Sequence, residues 1–198
     1  MTASEALTVG PDGRARCAWA AATQDYRDYH DGEWGRPVHG DAALLERLVL
    51  EGFQSGLSWL TILRKRVAFR AAFADFDPHR VAGYTDADVE RLLHDAGIVR
   101  HRRKIEAAVT NARATVRLID LRGPGALDAL VWSHAPDPAD LLAPRSLAEV
   151  PTQSEASRAL AGSLRSHGFT FVGPTTAYAA MQACGLVNDH VVGCAFRQ

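Results

Sequence analysis

The chain has 198 residues, of which 47% are hydrophobic and 23% charged, and its formal net charge is −1. That composition excludes a disordered, collagen-like or disulfide-scaffold protein, and the near-zero charge gives bulk electrostatics no reason to favour nucleic acid. No run approaches the roughly 18 apolar residues of a membrane span. The N-terminus lacks the basic start and apolar core of a signal peptide, so a cytoplasmic protein of one domain, or of two closely packed small ones, is expected.

In chain order, residues 1–16 read as a flexible tail and residues 17–198 as the folded body. Asp41 reads as the N-cap of a helix carrying Leu44, Leu45, Leu48 and Val49 at helical spacing. After Gly52 and Gly56 a second helical pattern begins at Ser58 and runs to the Asp77-Pro78 break. Thr85 starts a third, with Asp88 as its capping partner. Gly97 interrupts the pattern, which resumes from Val99 to Asp120. Gly123, Pro124 and Gly125 form a loop before a short helix, and the proline-rich stretch from Ala135 to Pro151 is the best boundary candidate. Two last helices follow, from Ser154 and from Pro174. The one alternating pattern is FTFVG, residues 169–173, so a nearly all-α fold is expected.

Three constellations carry chemistry. Cys17 and His30 lie near the start, His190 and Cys194 near the end. His190 and Cys194, at i and i+4, share one face of a helix or helical turn, and another pair, Cys17 and His30 thirteen residues apart, could complete a tetrahedral Cys2His2 zinc site. The alternative is four unrelated residues, since buried cysteines and capping histidines are common. No HExxH appears, so a bound zinc would be structural rather than catalytic. Cys184 lies in an apolar stretch and reads as buried.

Three of the four tryptophans fall between residues 19 and 59, together with Tyr26, Tyr29, Phe53 and the carboxylate Glu51. Aromatic faces can hold a flat ring while a carboxylate accepts a hydrogen bond from an amine on it, and a flat cation suits both. The competing explanation is a plain aromatic core with Glu51 capping a helix or pairing with an arginine. Third, the segment around Gly97 forms a helical hairpin followed by Arg100, His101, Arg102, Arg103 and Lys104 with no acid between them. The free N–H groups opening its second helix favour an anion such as phosphate. Arg64, Lys65 and Arg66 form another basic group, either a second contact or a solvated face.

The blocks CAW, DYHDGEWGRP, LEGFQSGLSWLTIL, GIVRHRRKI, FVGPTTAYAAMQACGLVNDH and VVGC, in that order, resemble those of type I DNA-3-methyladenine glycosylases, the Tag family of the helix-hairpin-helix superfamily. The resemblance spans about Cys17 to Cys194. It implies an all-α glycosylase fold with the hairpin near residues 85–118, and a structural zinc on Cys17, His30, His190 and Cys194 that joins the N- and C-terminal segments. It also implies that Glu51 contacts the damaged base, Trp59 stacks on it, and Tyr26, Tyr29, Trp19 and Trp34 complete the pocket. Gly56 and Leu57, in the turn that starts at Gln54, would face the gap left by an extruded base. Gly97, Val99, Arg100, His101, Arg102 and Lys104 would hold the DNA backbone. The implied activity is hydrolytic excision of 3-methyladenine from double-stranded DNA by a monomer without strand cleavage. The nearest alternatives are a damage-binding module without activity and a substrate shifted to 3-methylguanine or a bulkier adduct.

Overall fold

The computed structural model describes residues 6–197. Two short strands come first: β1 (Leu7–Val9) pairs antiparallel with β2 (Ala15–Cys17), Leu7 opposite Cys17 and Val9 opposite Ala15. The expectation of a flexible tail over residues 1–16 is therefore corrected from Ala6 onward; residues 1–5 lie outside the described part. The hairpin follows from a Pro-Asp-Gly turn, with Gly13 at φ +74°, and from what its strands meet. Ala6 and Cys17 are buried against Val191 and Cys194, under Trp19, Trp34 and Phe196.

Among the described residues nine α-helices follow: α1 (Gln24–Gly32), α2 (Asp41–Gln54), α3 (Trp59–Ala72), α4 (Pro78–Ala82), α5 (Asp86–Leu93), α6 (Arg102–Arg122), α7 (Ala126–Trp132), α8 (Glu155–Ser166) and α9 (Pro174–Ala183). The near-all-α expectation is met. The helix α1 was not foreseen; Thr23 starts it by accepting a hydrogen bond from the Tyr26 N–H at 3.2 Å. At α5 the Thr85–Asp88 capping box forms as the spacing requires. Asp41 differs from its expected role. It is the first residue of α2, and its carboxylate instead accepts the N–H groups of Gly125, Leu127 and Asp128 at the start of α7. The pattern expected to run to Asp77 stops at Ala72, where the chain turns through positive φ at Ala74, Asp75 and Phe76 and keeps Phe73 and Phe76 in the core.

FTFVG forms no strand. Phe169 and Val172 plug into the core, while Thr170 pairs through both backbone groups with the side-chain amide of Asn111 on α6. That amide satisfies the backbone as a neighbouring strand would have done.

At the centre lies α2, with every residue from Leu44 to Phe53 buried. A helix covered on all sides is expected to be apolar throughout, yet this one carries Glu46, Arg47 and Glu51. Glu46 is held by Arg70 at 3.0 and 3.2 Å, and Arg47 by Glu33 at 3.0 Å. Glu51 makes no hydrogen bond with any described residue. A buried carboxyl without a hydrogen-bond partner is costly to folding whether neutral or ionised, which marks this position as one kept for something other than folding.

Candidate active site

Glu51 lies in the wall of a cavity of ≈ 280 Å³ that is also lined by Trp19, Tyr26, Tyr29, Trp34, Gln54, Trp59, Ala179 and Gln182. The five aromatic residues that the resemblance places in the pocket are thus brought together around the one carboxylate, while Phe53, the sixth of the sequence cluster, is buried in the main core against Phe69. The five come from four places along the chain. Trp19 sits in the turn after β2, Tyr26 and Tyr29 on α1, Trp34 just past it and Trp59 at the first position of α3. The Tyr26 hydroxyl accepts the Leu60 N–H at 3.1 Å and so fixes α1 against the start of α3. Tyr29 packs on Trp59 with ring centroids 5.4 Å apart, and Trp19 meets Tyr26 edge-on at 5.6 Å. Burial pushes the Glu51 carboxyl up to about 8, against the opposing pull of Arg47 one turn earlier on α2. A cation entering this cavity would reverse that shift, because it supplies the missing partner.

Behind the pocket the four predicted metal ligands meet. Cys17, His30, His190 and Cys194 are all buried, with their candidate ligand atoms within 4.8 Å of one another. His30 Nε2 lies 3.1 Å from His190 Nδ1 and 3.5 Å from Cys194 Sγ, while His190 Nδ1 lies 3.5 and 3.8 Å from the sulfurs of Cys194 and Cys17. Zinc bonds to nitrogen and sulfur give a tetrahedron with edges of about 3.3–3.8 Å; the three nitrogen–sulfur spacings fall within that range and the nitrogen–nitrogen one is slightly shorter. The remaining imidazole nitrogens have partners: His30 Nδ1 faces Asp31 at 2.8 Å and His190 Nε2 the Trp34 carbonyl at 3.1 Å. Such outer contacts set the tautomer that a metal requires. Asp31 in turn takes Arg16, which reaches Asp12 in the hairpin turn. The His190–Cys194 pair comes together in a loop of turns rather than on a helix. These residues can hold a metal ion.

Pocket and cluster share a wall. Trp19 and Trp34 line the cavity, and both pack on the imidazole of His30, at 5.2 and 6.2 Å. Trp34 also packs on His190 at 4.7 Å. Only a glycine fits where this wall meets the end of α9. At Gly185, with φ +74°, an added Cβ would come within 2.5 Å of the Arg36 backbone.

The helical hairpin, α5 and α6 with the loop 94–101, is riveted to α2 and α3. Lys65 donates to the carbonyls of Ala96 and Gly97, and a Cβ on Gly97 would stand 2.9 Å from that of Ala68. Lys104, expected to contact phosphate, is corrected here. Its ammonium is buried and donates to the carbonyls of Phe53 and Ser55 at 2.8 and 2.6 Å, closing the C-terminus of α2. In the basic group on α3, Lys65 and Arg66 are used internally, while Arg64 stays on the solvated face in a surface ion pair. Arg64 pairs with Asp25, and Arg66 pairs with Glu33. Arg100, His101, Arg102 and Arg103 are exposed, with Arg102 paired to Glu90, while Val99 packs half-buried against the core. Gly56, at φ +81°, and the exposed Leu57 line a groove of ≈ 360 Å³ that also reaches Glu51, Gln54 and Thr175. Sequence reasoning did not pick out Gln182, which sits in an apolar stretch of α9 and carries no motif of its own.

The methyladenine glycosylase family model matches residues 19–198. DNA-3-methyladenine glycosylase 1 of Escherichia coli (strain K12) is 49% identical over 179 residues, 90% of this chain and 95% of that protein. A solved 3-methyladenine DNA glycosylase I superposes with a TM-score of 0.87 at 46% identity, over 92% of this chain and all of the other. The 3-methyladenine DNA glycosylase I of Staphylococcus aureus gives 0.85 at 34% identity, over 92% and 96%. With the motif blocks, the fold and the near-complete overlap in agreement, the chain belongs to the methyladenine glycosylase family.

Proposed function

We propose that this protein is a DNA repair N-glycosylase that hydrolyses the bond between 3-methyladenine and deoxyribose in alkylated double-stranded DNA, leaving an abasic site. The observation that carries this reading is Glu51, a buried carboxylate without a protein partner, facing an aromatic cavity that suits a single flat ring. A paired base cannot reach such a cavity, so the nucleotide must be extruded from the stack. Leu57, exposed at the tip of the turn after α2, is suited to fill the vacated space. The exposed hairpin cations and the free N–H groups at the start of α6 are suited to the phosphates.

Methylation at N3 makes the ring cationic and already weakens its glycosidic bond, so strong acid catalysis of departure is not required. The aromatic faces attract a cation more than neutral adenine. Glu51, protonated in the empty cavity near neutral pH, ionises as the cationic ring arrives and accepts a hydrogen bond from its exocyclic amine. Neutral adenine offers no such exchange and is left in place. Water is the nucleophile. The metal read here as zinc is structural, held by Cys17, His30, His190 and Cys194, and when bound it supplies cross-linking rather than chemistry. A cytoplasmic monomer completes the reading; among the described residues no helix is long and apolar enough to cross a membrane.

The test is incubation with DNA treated with an N3-directed methylating agent, followed by chromatography of the released bases. Release of 3-methyladenine with 7-methylguanine retained is the expected result; absence of released 3-methyladenine from folded protein overturns the reading. A companion prediction concerns strand cleavage. Lys104, the lysine nearest the hairpin, is committed to two carbonyls and buried, so borohydride should trap no covalent protein–DNA adduct, as judged by gel electrophoresis.

A further inference from the structure

Gln182 is a polar group in the wall of the pocket, with Glu51 and Gln54, and its orientation is dictated from behind. On α9 one turn earlier, Tyr178 donates its hydroxyl to Asp189 Oδ2 at 2.7 Å. Gln182 Nε2 lies 2.8 Å from the same oxygen. An oxygen that already accepts a phenolic proton can take only another donor, so the NH2 end of the amide must face Asp189 and its carbonyl must face away. Gln182 Oε1 accepts no hydrogen bond from the described residues, and it is not among the sealed-off polar atoms. Gln182 lines the cavity of Glu51 and also the adjoining one beyond Trp19 and Trp34, so an oxygen turned away from Asp189 has open space on the pocket side.

We infer that Gln182 is a specificity-determining residue whose carbonyl oxygen is a second acceptor, beside Glu51, for the exocyclic amine of the extruded base. The inference rests on the base-excision reading above. An adenine ring carries two hydrogens on that amine, and two acceptors use both. A guanine ring carries a carbonyl oxygen at the same position. A protonated Glu51 can still donate to that oxygen, but Gln182 Oε1 has no proton to give, so it faces the guanine oxygen acceptor against acceptor and is left unpaired, which disfavours the wrong base. Asp189 and Tyr178 act through Gln182 as positioning residues: they keep the amide from turning its NH2 group toward the pocket, where it would welcome that oxygen.

The experiment uses one sample of DNA methylated at N3, which contains both 3-methyladenine and 3-methylguanine. Because both bases are released in the same tube, the ratio of their initial rates does not depend on how much enzyme is folded. Gln182→Met removes donor and acceptor at similar length, and Asp189→Asn lets the amide turn over. The adenine-to-guanine ratio is expected to fall about tenfold in Gln182→Met, the equivalent of one neutral hydrogen bond, and at least as far in Asp189→Asn. A ratio unchanged in both variants, with the two rates falling together, overturns the inference and leaves Gln182 a structural residue. Release of neither base by the unmodified protein overturns the base-excision reading and this inference with it.

Discussion

Glu51→Gln is expected to lower 3-methyladenine release by about 100- to 1000-fold, the range seen when a single preorganised charge-stabilising group is removed. DNA binding at the hairpin should be nearly unchanged. The variant is nonetheless expected to be more stable than the parent at neutral pH and above. Burial raises the Glu51 carboxyl from 4.5 to about 8 in the folded chain. The unfolded chain releases this proton near pH 4.5, while the folded chain holds it until about pH 8. Stability from this group is thus fully present below pH 4.5 and is lost progressively up to pH 8, by on the order of 4 kcal/mol. Glutamine has no proton to lose. Thermal melts of both proteins should coincide near pH 4.5 and separate as pH rises, the variant melting higher. Coincident melts at pH 8.5 would show that the carboxyl is not held in this environment.

Cys17→Ala and His190→Ala are expected to lose a stoichiometric zinc and to destabilise the protein by about 3 kcal/mol, roughly 6–12 °C in melting temperature. The loss should be local at first. The cluster joins β2 to the C-terminal loop in a small core of its own, Ala6, Cys17, Val191 and Cys194, while the main core is centred on α2. Because Trp19 and Trp34 pack on the ligand imidazoles and also line the pocket, intrinsic fluorescence should change with zinc content and excision should fall with it. Metal analysis by chelator titration decides the point, and full zinc in both variants would refute the ligand set.

Much of this was legible in the sequence because its signals were local or chemically rare. The Thr85–Asp88 capping box is four residues long, and the serine that starts α8 needs only its neighbours. Cysteine and histidine are few enough for Cys17, His30, His190 and Cys194 to stand out, and tryptophan likewise. What escaped notice depended on partners distant in the chain. The N-terminal hairpin has strands of three residues, too short for an alternating pattern, and its stability comes from residues 191–196. FTFVG alternates like a strand, but its partner is a single side chain, Asn111. Lys104 sits in a run that reads as surface until Phe53 and Ser55 arrive from fifty residues away. Gln182 acquires its meaning only from Asp189, which no pattern links to it.

The internal use of the basic residues has a consequence for how the protein searches. Lys65, Arg66 and Lys104 are spent on carbonyls and on Glu33, which leaves Arg100 and Arg103 as the hairpin cations without an acidic partner among the described residues. Few neutralised phosphates mean few released counterions, and hence a weak grip on undamaged DNA at physiological salt. Residence on any one stretch is then brief. On the base-excision reading, the protein would sample many sites per unit time and stay only where a cationic base gives up its place in the stack.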